Sequence, residues 1–400
     1  MNFATLKGLT IPEGNVTQIT DASGRVLWAV SGGKVILEVE KITSDTYAGG
    51  TTYTDEEFIL LDIYPKTNGT VTVAYGGLTK TITDTSGAEE PNAQQVFFGT
   101  FNGVSDSVAT PASGELTIEG DCVGFGKGEY KEAKIVASQC IPICEIKSFG
   151  ATTEIPNRAF DPGLSTDTNK FIQSSIRIPS SIERIGNSAF AEQHTLQNVY
   201  ISNGVKTIGD CAFNIQNLTS LEISSSVENI GHNPVSGTGL TSEATLRNNI
   251  ISVAKGNSHY KIDGNCLMEI ATGRLVAGFS DSIIPNYTTT ISNYAFARIL
   301  GLANVLPLPA SVTSIGGYAF YKCTDLTSII VPQNAIDIGE SAFAECTSLT
   351  SVTFENTSGW YVTKTAGGDI STGTAVDVSD PTANATMLTD TYSAYYWYRS

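Results

Sequence analysis

The sequence predicts a mainly β protein in two parts: an N-terminal antiparallel β-sandwich, then a solenoid of stacked β coils closed by an aromatic C-terminal cap. Three observations carry this. The first 150 or so residues alternate short apolar-patterned runs with turn residues. The middle of the chain repeats one frame about every 23 residues. The last ten residues gather Tyr392, Tyr395, Tyr396, Trp397 and Tyr398. At 400 residues the chain is too long for a single compact core.

Residues 1–30 read as a separate hairpin, because "GNVTQITDASGRVLWA" places a turn at residues 21–24 between two apolar runs. Residues 31–148 read as the sandwich, of immunoglobulin-like kind. "RVLWAVSGGKVILEVEK" alternates apolar positions around Gly32 and Gly33. "EEFILLDIYPKTNGTVTVAYGGLTKTITDTSG" reads strand, turn at 67–69, strand, turn at Gly76-Gly77, strand, and "QQVFFGTFNGV" and "GELTIEGDCVGFGKGEY" add more. No Cys…Trp…Cys spacing marks a true immunoglobulin domain.

The frame is anchored on Ala-Phe, with Ala at 159, 189, 212, 295, 319 and 342, and Pro234 of "NPV" standing in once. Four residues earlier stands Ile155, Ile185, Ile208, Ile230, Ile291, Ile315 or Ile338. Ten earlier, Pro recurs at 179, 285, 309 and 332. Leu196, Leu218, Leu302, Leu326 and Leu349 follow, each leading into a period-two apolar pair such as Val199 with Ile201 or Ile329 with Val331. That pair reads as a short strand with one face buried. Pro ends the strand because it cannot donate to a ladder. The Gly after most frame isoleucines (186, 209, 231, 316, 339) suits a tight bend. Ala allows neighbouring coils to approach, Phe fills the interior, and Cys323 and Cys346 stack beside it. One coil cannot bury its own face, whereas a stack can. A period of about 23 lies within the range of leucine-rich repeats.

The residues that write this pattern, Ile-Pro-x-x-Val-x-x-Ile-Gly-x-x-Ala-Phe with Leu-Thr-Ser-Ile-x-Val, resemble the BspA-like (Treponema pallidum type) leucine-rich repeats over residues 149–358. "GNCLMEIATGRLVAGFSDSIIP" resembles the hairpin-bearing variant coil of that family. It accounts for the gap of 61 residues between frames through an enlarged coil at about 239–283, with its turn at 271–274. The resemblance implies binding to cell surfaces, hosts or other macromolecules, and no catalysis. The strand positions that face outward form a candidate ligand face: Gln197, Asn198, Tyr200, Ser220, Glu222, Thr327 and Ser328. Residues 359–400 complete the chain as a cap, in which a turn opens at Asp380-Pro381 and a short helix covers 383–388. The five terminal aromatics serve as cap or subunit contact, or as a platform for sugar rings.

Composition excludes several function classes. The net charge is −17, and residues 1–150 hold 19 acidic and 10 basic side chains, giving −9 of it, so the acidity is spread along the chain. Such a surface disfavours nucleic acid and anionic lipid. No apolar run reaches the length of a membrane helix, so no membrane insertion is expected. Seven Cys, an odd number without a dense framework, reads as reduced thiols, and Cys140 with Cys144 lacks a second pair at zinc spacing. His194, His232 and His259 lie on different coils without metal-ligand spacing. Neither a Gly-x-Ser-x-Gly elbow nor His-Glu-x-x-His is present, "GFGKGEY" lacks the spacing of a phosphate loop, and Glu56-Glu57 and Glu89-Glu90 read as solvated loop charge. No cofactor, metal or catalytic group is expected.

The N-terminal hairpin and "DIYPKTNGTVTVAYGGLTKTITDTSGAEEPNAQ" resemble minor structural and tail proteins of phages and prophages from gut Firmicutes. That resemblance implies a receptor-binding protein of the phage tail or baseplate, made in the bacterial cytoplasm. Its N-terminal region would contact other tail proteins, its repeats a host glycan or surface protein, and on analogy it would be a homo-oligomer. The absence of an export signal agrees with this expectation. The alternative is a bacterial surface adhesin of the BspA-like type, and a third class is a polysaccharide depolymerase with carboxylates assembled in space.

Overall fold

A computed structural model describes the strands between residues 19 and 149 with a few of their turns, and residues 153–160, 175–235 and 250–400 apart from short gaps. Ile19–Thr20 pairs antiparallel with Val26–Leu27, as the hairpin pattern predicts. The turn between them lies outside the described residues.

Two antiparallel sheets follow. One runs in the order Ile143–Phe149, Lys34–Glu40, Ser113–Gly120, Thr70–Tyr75 and Leu78–Thr83. The other orders Cys122–Phe125, Glu57–Pro65, Gln94–Phe101 and Val104–Ser105, with Ile42–Thr43 on the flank of Glu57–Pro65. Alternation decides which side is buried: Val71, Val73 and Tyr75 lie inside with Leu116 and Ile118, and Val96 of the second sheet joins them. Gly76 and Gly77 both take positive φ in the two-residue turn, where the strand twist demands it. The last strand of the first sheet packs beside the first long strand of the solenoid.

The solenoid has about seven turns. Each regular coil gives one long and one short strand, each paired in parallel with its counterpart in the next coil. Long strands Ser175–Ile178, Asn198–Ile201, Ser220–Ile223 and Ile251–Val253 form one sheet, and Ser328–Val331 with Ser351–Phe354 another. Short strands Glu154–Ile155, Arg184–Ile185, Thr207–Ile208 and Asn229–Ile230 stack on the opposite side. Thr290–Ile291, Ser314–Ile315 and Asp337–Ile338 continue the pattern. All seven frame isoleucines are at most 3% exposed, and the Ala-Phe pairs likewise. The phenyl rings form two columns: Phe160, Phe190 and Phe213 at 4.8 and 5.4 Å, then Phe296, Phe320 and Phe343 at 5.2 Å each. Pro234 fills the Ala slot as expected, its carbonyl accepting from Phe213 N–H at 2.7 Å. Pro179, Pro285, Pro309 and Pro332 open each turn, their carbonyls accepting from the residue three further on.

The frame glycines correct the sequence reading. Gly209, Gly231, Gly316 and Gly339 do not adopt positive φ, so no bend requires them. They are needed because the previous coil comes too close. A Cβ on Gly209 would lie 2.4 Å from Asn187 Oδ1, and one on Gly339 would lie 2.3 Å from Gly317 N. Left-handed backbone occurs elsewhere, at side chains. Ser188, Cys211, Tyr294, Tyr318 and Ser341, each just before the frame Ala, have φ of 50–60°. Arg298, Lys322 and Glu345, three residues after the Ala, have φ of 58–61°.

The column is interrupted by the enlarged coil. Tyr260–Asp263, Cys266–Glu269 and Arg274–Ala277 form an antiparallel meander, with a turn where the sequence placed one. Arg274–Ala277 then pairs in parallel with Thr290–Ile291. Side chains bridge the break. Tyr260 Oη accepts from Ile230 N–H at 2.7 Å, and the Arg274 guanidinium donates to Ile230 O at 2.9 Å and Gly231 O at 3.3 Å. Gly278 takes the Phe slot, donating to Ala295 O, because a Cβ there would strike the Phe296 ring. The part of the enlarged coil before residue 250 lies outside the described residues.

Gly339→Ala should lower stability by about 1–3 kcal/mol, since neither backbone in contact can yield. Ser341→Gly should be neutral or stabilising by up to ~1 kcal/mol, because it removes a Cβ from left-handed backbone. Denaturant unfolding followed by Trp360 and Trp397 emission checks both; an unchanged Gly339→Ala or a destabilised Ser341→Gly would contradict the assignment.

Candidate functional site

The candidate strand face falls on two sheets. Gln197, Asn198, Tyr200, Ser220 and Glu222 lie on the first long-strand sheet, with Gln197 and Glu222 exposed and the others half-buried. Thr327 and Ser328, both exposed, belong to the second. No described ladder joins the two sets. Several of these groups are already engaged. Asn198 donates to Ser175 Oγ at 3.1 Å and accepts from Thr219 Oγ1 at 3.3 Å. The Arg177 guanidinium lies 5.1 Å from the Tyr200 ring centre.

The terminal aromatics divide by side. Strand Tyr396–Arg399 returns antiparallel between Asp337–Ile338 and Trp360–Thr363, closing the short-strand sheet. Period two turns Trp397 inward, where it is 1% exposed, lies 6.3 Å from the Phe354 ring and donates to Tyr392 O. Trp397 therefore has no free face for a sugar; it is core. Tyr392 and Tyr395 pack against the same cluster. Asp380 caps helix Pro381–Thr386, which starts two residues earlier than the sequence suggested because Pro381 suits the first helical position. Buried Asn384 ties that helix to the last long strand through Val352 O at 2.9 Å. Ser393 O accepts from Ser341 N–H, the place a next coil's carbonyl would hold.

Tyr396 and Tyr398 point the other way, into an open groove of about 270 Å³. Its walls come from three successive frames and the returning strand: Asn293 with Tyr294, residues 314–318, residues 337–340, and the two tyrosines. The short-strand ladder fixes the row Thr290, Ser314, Asp337, Tyr398 and Tyr361. Tyr294 and Tyr318, at the same frame position in adjacent coils, stack at 5.0 Å and 10°. Burial pushes the Asp337 carboxyl above the usual carboxylate range, opposed by a 2.6 Å hydrogen bond from Ser314. Burial, followed by the nearby Cys211 and Tyr318, pushes the Tyr294 hydroxyl up to about 12. Burial, then a hydrogen bond to Glu340, raises that of Tyr396.

The sequence reading singled out Tyr396 and Tyr398 but missed Tyr294, Tyr318, Asp337 and Glu340. Tyrosine before Ala in two successive frames was the available signal. A side-chain ladder was missed as well. Asn157, Asn187, Asp210 and Asn293, each two residues after a frame Ile, accept through Oδ1 from the backbone N–H at that position one coil on, at 2.7–3.0 Å. His232 Nε2 lies 3.2 Å from Asn293 Nδ2, and His259 Nδ1 lies 3.2 Å from Ser258 Oγ; His194 lies outside the described residues. Among the described residues no three His, Cys, Asp or Glu side chains group as a metal site. Nor does any described helix have the length and apolarity to cross a membrane.

Stacked parallel strands, a phenylalanine column and an aromatic end cap define a leucine-rich-repeat solenoid. More specifically, residues 153–260 and 277–364 match the BspA type leucine rich repeat region in six copies, and the chain carries a repeat domain of that family. The chain is similar to the pneumococcal vaccine antigen PcpA, with 24% identity and a TM-score of 0.40 over 52% of this chain and 55% of that one. It thus spans about half of the PcpA chain. A leucine-rich repeat protein from Eubacterium ventriosum shows 19% identity and a TM-score of 0.36 over 58% and 68%. A leucine rich cell surface protein from Faecalibacterium prausnitzii shows 17% and 0.20 over 55% and 91%. No curated protein matches the chain. Nothing in these matches supports the tail-protein resemblance of the N-terminal region.

Trp397→Ala should remove about 3–5 kcal/mol from the cap. Amide exchange at Asp337–Ile338 and Trp360–Thr363 should then accelerate more than at Thr207–Ile208; a uniform response would mean the strand does not close the stack. A second expectation concerns alkali. Burial pushes the Cys211 and Cys266 thiols from 9.0 to about 12. The unfolded chain therefore releases these protons above pH 9 while the folded chain holds them, so stability present below pH 9 is lost as pH rises towards 12. The melting temperature of Cys266→Ala should fall less steeply over that window than that of the parent.

Proposed function

We propose that the chain is a non-catalytic recognition protein of the surface-adhesin kind, which binds a macromolecule on another cell through the outside of its solenoid. The observation that carries this reading is the BspA-type repeat itself. Its interior is filled coil after coil by Ile, Ala and Phe, and its outward strand positions, Ile330 apart, are polar and held in register. A register-locked polar face loses little side-chain freedom on binding, which favours contact with a protein or glycan surface.

Within this reading the first long-strand sheet, with Arg177, Tyr200 and Glu222 in one row, is one ligand face. The groove bordered by Tyr396 and Tyr398 is the second. A location on a phage tail would use the same surfaces. That location rests on sequence resemblance that no match supports, so the cell-surface reading is preferred.

Labelled full-length chain should adsorb to a panel of bacterial and mucosal cells or to a glycan array above an acidic control protein of equal charge. Tyr200→Ala with Glu222→Ala should lower that signal severalfold without changing the melting temperature. Adsorption equal to the control on every surface would refute the reading. Fractionation of producing cells, with antibody detection in wall and particle fractions, separates the surface location from the virion.

A further inference from the structure

The groove at the capped end carries charge that the fold leaves uncompensated. Asp337 and Glu340 both line it, and neither forms an ion pair among the described residues. Among the described residues no Lys, Arg or His lines it. Asp337 receives its side-chain hydrogen bond from a neutral hydroxyl, that of Ser314, and the group nearest Glu340 in the groove is the neutral Tyr396 hydroxyl. A carboxylate withdrawn from water without a cation is an unfavourable arrangement unless a ligand completes it.

The complement follows from this inventory. An anionic ligand such as a phosphate or a uronic acid would meet two like charges in a partly desolvated setting. A neutral sugar could hydrogen-bond to the walls but would leave both charges as they are. A cation balances them and finds tyrosine rings at the border, which attract it through their π faces. At about 270 Å³ the space falls just below the usual range of small-molecule clefts and suits one long side chain better than a polymer segment. We propose that this groove receives a lysine or arginine side chain presented by a partner protein. The proposal deepens the recognition reading above, on which it rests for the partner being a macromolecule.

The test uses the purified full-length chain with Nα-acetyl-lysine amide and Nα-acetyl-arginine amide as probes. Chitotriose and Nα-acetyl-glutamate amide serve as comparators. Tyrosine-selective isotope labelling reports on the ring signals of Tyr318, Tyr396 and Tyr398. Saturable, millimolar shifts are expected with the two cationic probes, weakened at least tenfold by Asp337→Asn combined with Glu340→Gln. Asn retains the acceptor for Ser314, and an unchanged melting temperature verifies the fold. Should the double variant melt early, raising salt from 20 to 500 mM on the parent chain must weaken the cationic probes severalfold, because the contact is partly exposed. Equal binding of chitotriose or of the glutamate amide, or cationic binding insensitive to both the variant and salt, would overturn the proposal. The titration involves no cells. Loss of probe binding with adsorption intact refutes the groove alone, and loss of adsorption with probe binding intact refutes the wider reading alone.

Discussion

The approach of one coil to the next at the residue after each frame isoleucine is the constraint on which the rest of the solenoid depends. There the backbone N–H donates to the previous coil's isoleucine carbonyl, as in Gly209 to Ile185 and Gly339 to Ile315, at 2.7–2.9 Å. At Gly209, Gly231 and Gly316 the space a Cβ would need is taken by the Asn187, Asp210 or Asn293 side chain of that previous coil, and at Gly339 by the Gly317 backbone. The same Asn and Asp oxygens accept the next backbone N–H. Glycine and the amide ladder are therefore one device. The missing Cβ admits the acceptor, and the acceptor satisfies a donor that would otherwise be stranded at a tight turn. Where the preceding element is the hairpin strand Arg274–Ala277 instead of a regular coil, Ser292 stands in the glycine slot and still donates to Leu275 O.

From that approach follows the direction of the remaining bonds. Having donated backwards, the chain must turn to donate forwards. Ser188, Tyr294 and Tyr318 do so in left-handed conformation, sending N–H groups to the next coil, and the following Phe N–H reaches the next Ala carbonyl. A left-handed residue with a side chain costs about 1–2 kcal/mol, and its recurrence at one frame position shows that the paired forward bonds and the buried phenyl ring outweigh it. Side chains at these positions are thrown outward beside their counterparts in adjacent coils. This is why Tyr294 and Tyr318 stack face to face on the surface and build a wall of the groove.

How much of this was legible follows from what periodicity records. Buried identity recurs, so the isoleucines, the Ala-Phe pairs and the Pro234 substitution could be read from spacing alone, whereas the hairpin at residues 266–277 was legible only through the family resemblance. The glycines were legible as recurrent but not as to cause, because a letter does not reveal whether φ or a neighbour demands it. The amide ladder escaped because no single residue type marks its slot: Asn157, Asn187, Asp210, His232, Asn293, Gly317 and Glu340 occupy it, and only the Asn and Asp among them accept through Oδ1. The groove escaped because its parts come from three frames and a strand that returns from the chain end, about a hundred residues after Asn293. The strand face was readable as exposed, but not as divided between two sheets, since the division depends on where pairing stops.

A groove forms at the capped end for the same reason that a cap is needed. Inside the stack every forward-pointing N–H meets another coil, and outward side chains lie flush against their counterparts. At Ile338 the repeats run out, and an antiparallel strand takes the partner's place. An antiparallel strand cannot reproduce the outward rows of a parallel coil. Its alternation turns Trp397 inward and Tyr396 and Tyr398 outward, so the large rings stand against the small Ser314 and the bare Gly316 and Gly317. The mismatch in side-chain height is the groove. Asp337 lines it between the short Ser314 on one side and the large Tyr398 on the other, its two ladder partners. A concave, acidic and aromatic site is thus the geometric result of ending a parallel solenoid with an antiparallel strand, and it occurs where the stack meets its cap, not along the strand face.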